Sequence, residues 1–145
     1  MGDLSKDINS KFENFRVKAL LNIIYTANWI TSSQSESFKN FGISQQQYNI
    51  LRILRGAKEP LKVQTIKDRM LERSPNATRL MDKLCAKDLI KRLPSEHDRR
   101  VVKIEITQQG LDLLNTIPND MNKELIKNLS EEEAEQLSNL LDKMR

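Results

Sequence analysis

With 145 residues, 38% of them apolar and 30% charged, the chain is long enough for one compact domain with a core, or a small domain with helical arms. No apolar run approaches a membrane span, no signal-peptide core follows Met1, and Lys6 stands where a myristoylation signal needs Ser or Thr, so a cytoplasmic protein with no membrane partner is expected. Cys85 is the single cysteine, which excludes an internal disulfide framework. The net charge of +4 is mild but uneven. Residues 73–103 hold nine Lys or Arg against four acids, whereas residues 112–145 hold eight acids against four bases. The first stretch suits a polyanion-facing surface, or both stretches are ordinarily solvated faces.

In chain order, Phe12, Phe15, Ala19, Ile23, Ala27 and Ile30 recur at steps of three and four, predicting one long helix from about Asp7 to Phe38. Leu20, Ile24 and Trp29 add a second apolar line, so this helix needs two neighbours, one of which can be a second copy of itself. Phe41-Gly42 breaks the pattern, and Ser44 caps a helix with Tyr48, Leu51 and Leu54 inward and Gly56 and Pro60 as stops. A short helix follows with Val63, Ile66 and Met70 inward. In the next, Ser74 caps, Pro75 takes the first helical position, and Ala77, Leu80, Met81 and Leu84 are buried.

Two strands come next, Leu89 to Leu93 and Val101 to Ile106, joined by a tip from Pro94 to Arg100. Thr107 caps a helix containing Leu111, Leu114, Met121, Leu125 and Leu129, which Pro118 kinks or divides. Ser130 and Glu133 form a capping box for a last helix whose first-turn glutamates complement its dipole.

Three short helices followed by a hairpin are the pattern of a winged helix-turn-helix. The expected fold is therefore mainly α with a small β-hairpin wing. It divides into an N-terminal dimerisation helix (1–38), a winged DNA-binding lobe (39–110) and C-terminal dimerisation helices (111–145). On the third helix of the lobe, Asn76, Thr78, Arg79, Asp82, Lys83 and Lys87 face outward. Arg79 suits a bidentate guanine contact, and Ser74, Asn76, Thr78 and Lys83 suit phosphates or mixed base edges. Arg99 and Arg100 sit on the wing tip, where an arginine can enter an A·T-rich minor groove. Asp98 is placed to hold the Arg100 guanidinium and fix the turn. His97 has no second histidine or suitably spaced cysteine beside it, so no metal is expected.

"DRRVVKIEITQQG" resembles the wing signature of the MarR (multiple antibiotic resistance regulator) family, with Asp98, Arg100, Thr107 and Gly110 on it. "ATRLMDKLCAKDLIKRLPSEHDRR" is similar, in register, to that family's recognition helix and wing, except that Asp88 stands where the family usually has Gly. The resemblance covers nearly the whole chain. It implies a homodimer with intertwined first and last helices, bound to a pseudo-palindromic double-stranded DNA operator. It also implies a repressor, released by a small-molecule effector bound between the dimer helices and the lobe, where Tyr25, Trp29 and Tyr48 are candidates for its lining. No cofactor is implied. No catalytic motif is visible, so no enzyme activity is expected. Two other readings are a winged module that binds protein instead of DNA, and a thiol-based redox sensor using Cys85. Cys85 borders the core face, where a free cysteine behaves as a small hydrophobe.

Overall fold

The computed structural model describes residues 2–72 and 75–145. The chain divides after Ser37 into two compact units.

In the first unit, a single turn of helix, α1 (Leu4–Asp7), precedes the long helix α2 (Phe15–Phe38). The start expected near Asp7 is corrected to Phe15. Asn9, at φ +48°, takes the chain out of the helical path, and the Asn14 side chain accepts the Val17 N–H at 3.0 Å, the work of an N-cap. Phe12 therefore precedes α2, with the Lys18 ammonium 5.9 Å from its ring centroid.

The second unit, Phe38–Arg145, contains the winged lobe and the C-terminal helices. Gly42, at φ +68°, ends a turn of 3-10 helix (Lys39–Phe41), and α3 (Gln45–Ala57) follows. The Ser44–Gln47 capping box starts α3 as expected from Ser44. Gly56 lies inside α3, and the stop falls at Lys58, which takes the left-handed conformation at φ +57°. Next come β1 (Leu61–Lys62), α4 (Val63–Arg69), α5 (Ala77–Ala86), β2 (Ile90–Pro94) and β3 (Val102–Ile106). The hairpin gains a third strand, since β1 pairs antiparallel with β3 to give the order β1-β3-β2. Ile104 sits at the centre of this sheet, opposite Leu61 on one side and Arg92 on the other, and is fully buried.

Pro118 does divide the segment after β3, into α6 (Gln108–Thr116), α7 (Lys123–Ile126) and α8 (Glu131–Met144). The Ser130–Glu133 capping box opens α8. Leu114 and Ile117 are buried, so the lobe's core extends past Gly110. That core joins Ile50, Leu51 and Leu54 of α3 to Ile66, Met81, Leu84, Ile90 and Ile104.

Candidate nucleic-acid interface

Helix α5 presents its outer face because its inner face is committed to the core. Ala77, Met81 and Leu84 are buried at helical spacing, which leaves Thr78, Arg79, Asp82 and Lys83 exposed on the other side. The helix begins at Ala77, with Asn76 at the N-cap position, so Pro75 lies in the turn before it and not at the first helical position. Ser74 lies outside the described residues.

The far end of α5 is closed by a Schellman motif. The Leu89 N–H bonds the Leu84 carbonyl at 3.0 Å, and the Asp88 N–H bonds that of Cys85 at 2.9 Å. Asp88 sits between them at φ +56°, the left-handed position that glycine fills without strain. Its carbonyl accepts the Thr107 hydroxyl at 2.6 Å, while the Thr107 N–H donates to the Leu89 carbonyl at 3.1 Å. Thr107 Oγ1 also accepts the Gly110 N–H at 3.1 Å and so caps α6. A Cβ at Gly110 would lie 2.3 Å from the Leu89 carbonyl oxygen. Thr107 and Gly110 thus lock the end of the wing onto the end of α5. Their spacing in the sequence is a structural requirement.

The wing tip is fixed from within. Asp98 Oδ1 accepts the Arg100 backbone N–H at 2.9 Å, and the Val101 N–H donates to the Asp98 carbonyl at 3.0 Å. Asp98 therefore shapes the turn through the Arg100 amide and not through its guanidinium, which corrects half of the role expected for it. Among the described residues, neither Arg99 nor Arg100 has an ion-pair partner, and both are exposed. His97 is exposed on the same tip, and no cluster of three or more metal-ligating side chains occurs among the described residues.

Two of the residues expected to face outward are engaged within the lobe. Asp82 pairs with Arg92 on β2, and Lys87 donates to the carbonyl of Gly42. Sequence reasoning missed Arg92 as a functional residue. The available signal was its place in the strand, where a period of two sets it on the same face as Ile90.

Cys85 is half-buried. Burial pushes its thiol above the ordinary value, against the nearby Arg92 guanidinium, which pulls the other way, while Asp82 adds to the rise. Of the three effector candidates, Tyr25 and Trp29 are on α2 with exposed side chains. Tyr48 is in the lobe, its ring 4.8 Å from that of Phe38 and its face near the Arg52 guanidinium. An open cleft of the lobe is lined instead by Gln64, Lys67, Asp68, Met70, Glu72 and Pro75 among others.

Residues 43–102, which span α3 to the start of β3, match the model of the MarR family. A Bacillus subtilis regulator, the HTH-type transcriptional regulator MhqR, is 34% identical over 119 residues, covering 79% of this chain and 81% of that protein. The chain belongs to the MarR family. It is accordingly a DNA-binding transcriptional regulator, and regulators of this family bind operator DNA as homodimers. A MarR transcription factor from Planctomyces limnophilus has the same fold, with a TM-score of 0.70 at 30% identity over 91% of this chain and 98% of that one. A cysteine-to-serine mutant of Escherichia coli MarR, solved in complex with operator DNA, aligns with a TM-score of 0.75 at 24% identity over 99% of both chains. In the winged-helix fold shared with these proteins, the β2–β3 hairpin is the wing. No helix among the described residues is long and apolar enough to cross a membrane.

Proposed function

We propose that the chain is a repressor whose homodimer places one α5 in each of two successive major grooves of a pseudo-palindromic operator. Each wing tip lies in the flanking minor groove. Two-fold symmetry then sets the half-sites roughly 34–36 Å apart, one helical turn of the duplex. The observation that carries this reading is the combination of α5's exposed Thr78, Arg79 and Lys83 with two exposed arginines, free of ion pairs among the described residues, on a tip that Asp98 holds in shape. Arg79 takes the guanine contact, Asn76, Thr78 and Lys83 the phosphates and mixed edges, and Arg99 and Arg100 the minor groove. Ser74 belongs to the same set by sequence position.

A protein-binding winged module would want an apolar or acidic α5 face, and this one is polar and cationic. A thiol sensor would want a depressed thiol value, and burial moves that of Cys85 upward. Release by a small molecule is part of the proposal. Tyr25 and Trp29 are its exposed aromatic candidates, while Tyr48 already packs on Phe38.

Selection of bound sequences from a random duplex pool, at stated salt, tests the reading. The selected site should be a two-fold repeat, with Arg79→Ala costing about 1–3 kcal/mol and relaxing one base position per half-site. Arg100→Ala should weaken binding with less change in base preference, and any preference lost should be for A·T-rich flanks. An Arg100→Ala protein with unchanged affinity on every flank would remove the wing from the interface.

A further inference from the structure

Asp82 has the wrong sign for its place. It is the one acid of α5, on the same outward face as Arg79 and Lys83, where a carboxylate repels phosphates. Its partner accounts for it. Arg92 stands opposite Ile104 in the β2–β3 ladder and therefore shares a sheet face with Ile104 and, two residues back, with Ile90. Both of those isoleucines are buried in the core to which α5 contributes Met81 and Leu84. Arg92 extends from that face beyond the core and reaches Asp82, its Nη2 on the carboxylate Oδ1. Its neighbour Lys91 lies on the opposite face and pairs with Glu105 at 2.8 Å, so among the described residues Arg92 is the wing side chain that pairs with a charge on α5. Both side chains of the Asp82–Arg92 pair are about half exposed. A guanidinium carries five N–H donors, so one engaged with Asp82 keeps others for an incoming phosphate.

We propose that Asp82 is a positioning residue that holds Arg92 as a phosphate clamp at the junction of recognition helix and wing. The two DNA-reading elements then meet the operator as one body. This rests on the DNA-binding reading above. An exposed ion pair adds little to folding stability, because solvent screens it and two long side chains lose freedom. Its worth here is in the bound geometry, where a guanidinium already aimed at the backbone loses less freedom on contact.

The test compares the affinity of the intact homodimer for its selected operator with that for a random-sequence duplex, at fixed salt. Asp82→Asn removes a negative charge from the DNA side, so charge alone would tighten binding to both duplexes and leave their ratio unchanged. The clamp requires the ratio to fall instead, by about threefold per lobe and about tenfold for the dimer. Asp82→Glu, which keeps the ion pair, should restore most of it. Arg92→Gln should lower the ratio similarly and reduce the salt slope by about one per lobe. The double variant should be no worse than Arg92→Gln alone, since both changes act through one contact. A wild type that selects an operator, with Asp82→Asn keeping or raising the ratio, overturns this inference alone. A wild type that selects no sequence overturns the DNA-binding reading and this inference with it.

Discussion

In the lobe, Ile50, Leu51, Ile66, Leu84 and Ile104 are sealed from solvent, whereas on α2 the large apolar residues Phe15, Leu20, Ile24, Tyr25 and Trp29 are 43–87% exposed. Phe38, at its last residue, is the one buried side chain of α2. On α8, Leu137, Leu140 and Met144 are likewise open. The lobe completes its core with its own residues, and the terminal helices do not. In a homodimeric regulator the division has a purpose. The lobe keeps its shape for reading DNA, and under the homodimer proposal the exposed apolar face of the helices is what a second copy would cover.

The strongest way to break that contrast is to make the α2 face charged. Leu20→Glu with Ile24→Glu should give a species of 16.8 kDa by light scattering in place of twice that mass. The lobe should stay folded by circular dichroism, because neither residue belongs to its core. Operator affinity should fall by at least about a hundredfold, since two half-sites no longer bind as one ligand. A variant that unfolds completely would show that the lobe is not self-sufficient, and one that stays dimeric would move the interface elsewhere.

Inside the lobe, the sharpest probe is Gly110→Ala. Its Cβ would press on the Leu89 carbonyl oxygen at 2.3 Å, with Ile106 Cγ1 at 2.7 Å. Backbone must move, and we expect a loss of about 3 kcal/mol, read as a lower thermal midpoint with the dimer retained. An unchanged midpoint would mean that the contact between α6 and the end of α5 is loose.

How far the sequence disclosed this molecule depends on the range of the interaction concerned. Capping boxes at Ser44 and Ser130, the Thr107 cap and the break at Pro118 are local, and each is legible from residues three or four apart. The strand β1 is not, because Leu61 and Lys62 are too few to alternate and become a strand only opposite Ile104 and Lys103. The start of α2 misled because Phe12 keeps the apolar rhythm across Asn14, and periodicity does not register a cap. At the DNA-facing surface, residue types mark Arg79 and Arg100 as candidates. They do not show that Asp98 holds an amide, that Lys87 is drawn to Gly42, or that Asp82 faces Arg92. Those partners lie on other elements or on the backbone, and only folding brings them together.

A smaller effect sharpens the account of the α5 terminus. Asp88 occupies the left-handed position of the Schellman motif, and Asp88→Gly should raise stability by about 1 kcal/mol. An acid at a helix C-terminus is also unfavourable to the dipole, so charge has to be separated from backbone strain. Asp88→Asn makes the separation, since it removes the charge and keeps the strained backbone. A thermal midpoint raised by Gly and little changed by Asn assigns the gain to backbone conformation. Equal gains from both assign it to charge.

The smallest effect is expected at Cys85, and it bears on how the protein is controlled. The thiol borders the core between α5 and the wing, and burial disfavours its thiolate. Because the thiolate is the reactive form, alkylation at neutral pH should be slower than for a free thiol. The rate should climb with pH and go on climbing past the ordinary cysteine value, where the rate of a free thiol levels off. Cys85→Ser replaces a weakly polar atom by a hydroxyl at a half-exposed position, where solvent limits the desolvation cost, so stability should change by less than about 1 kcal/mol. Operator affinity should stay within about twofold, a difference of under 0.5 kcal/mol. Peroxide should release neither wild type nor variant from the operator. Release of the wild type alone would make Cys85 a redox switch, at a thiol that already feels the charges of Arg92 and Asp82. The two outcomes are read from one titration of bound DNA against peroxide, run on both proteins at the same salt.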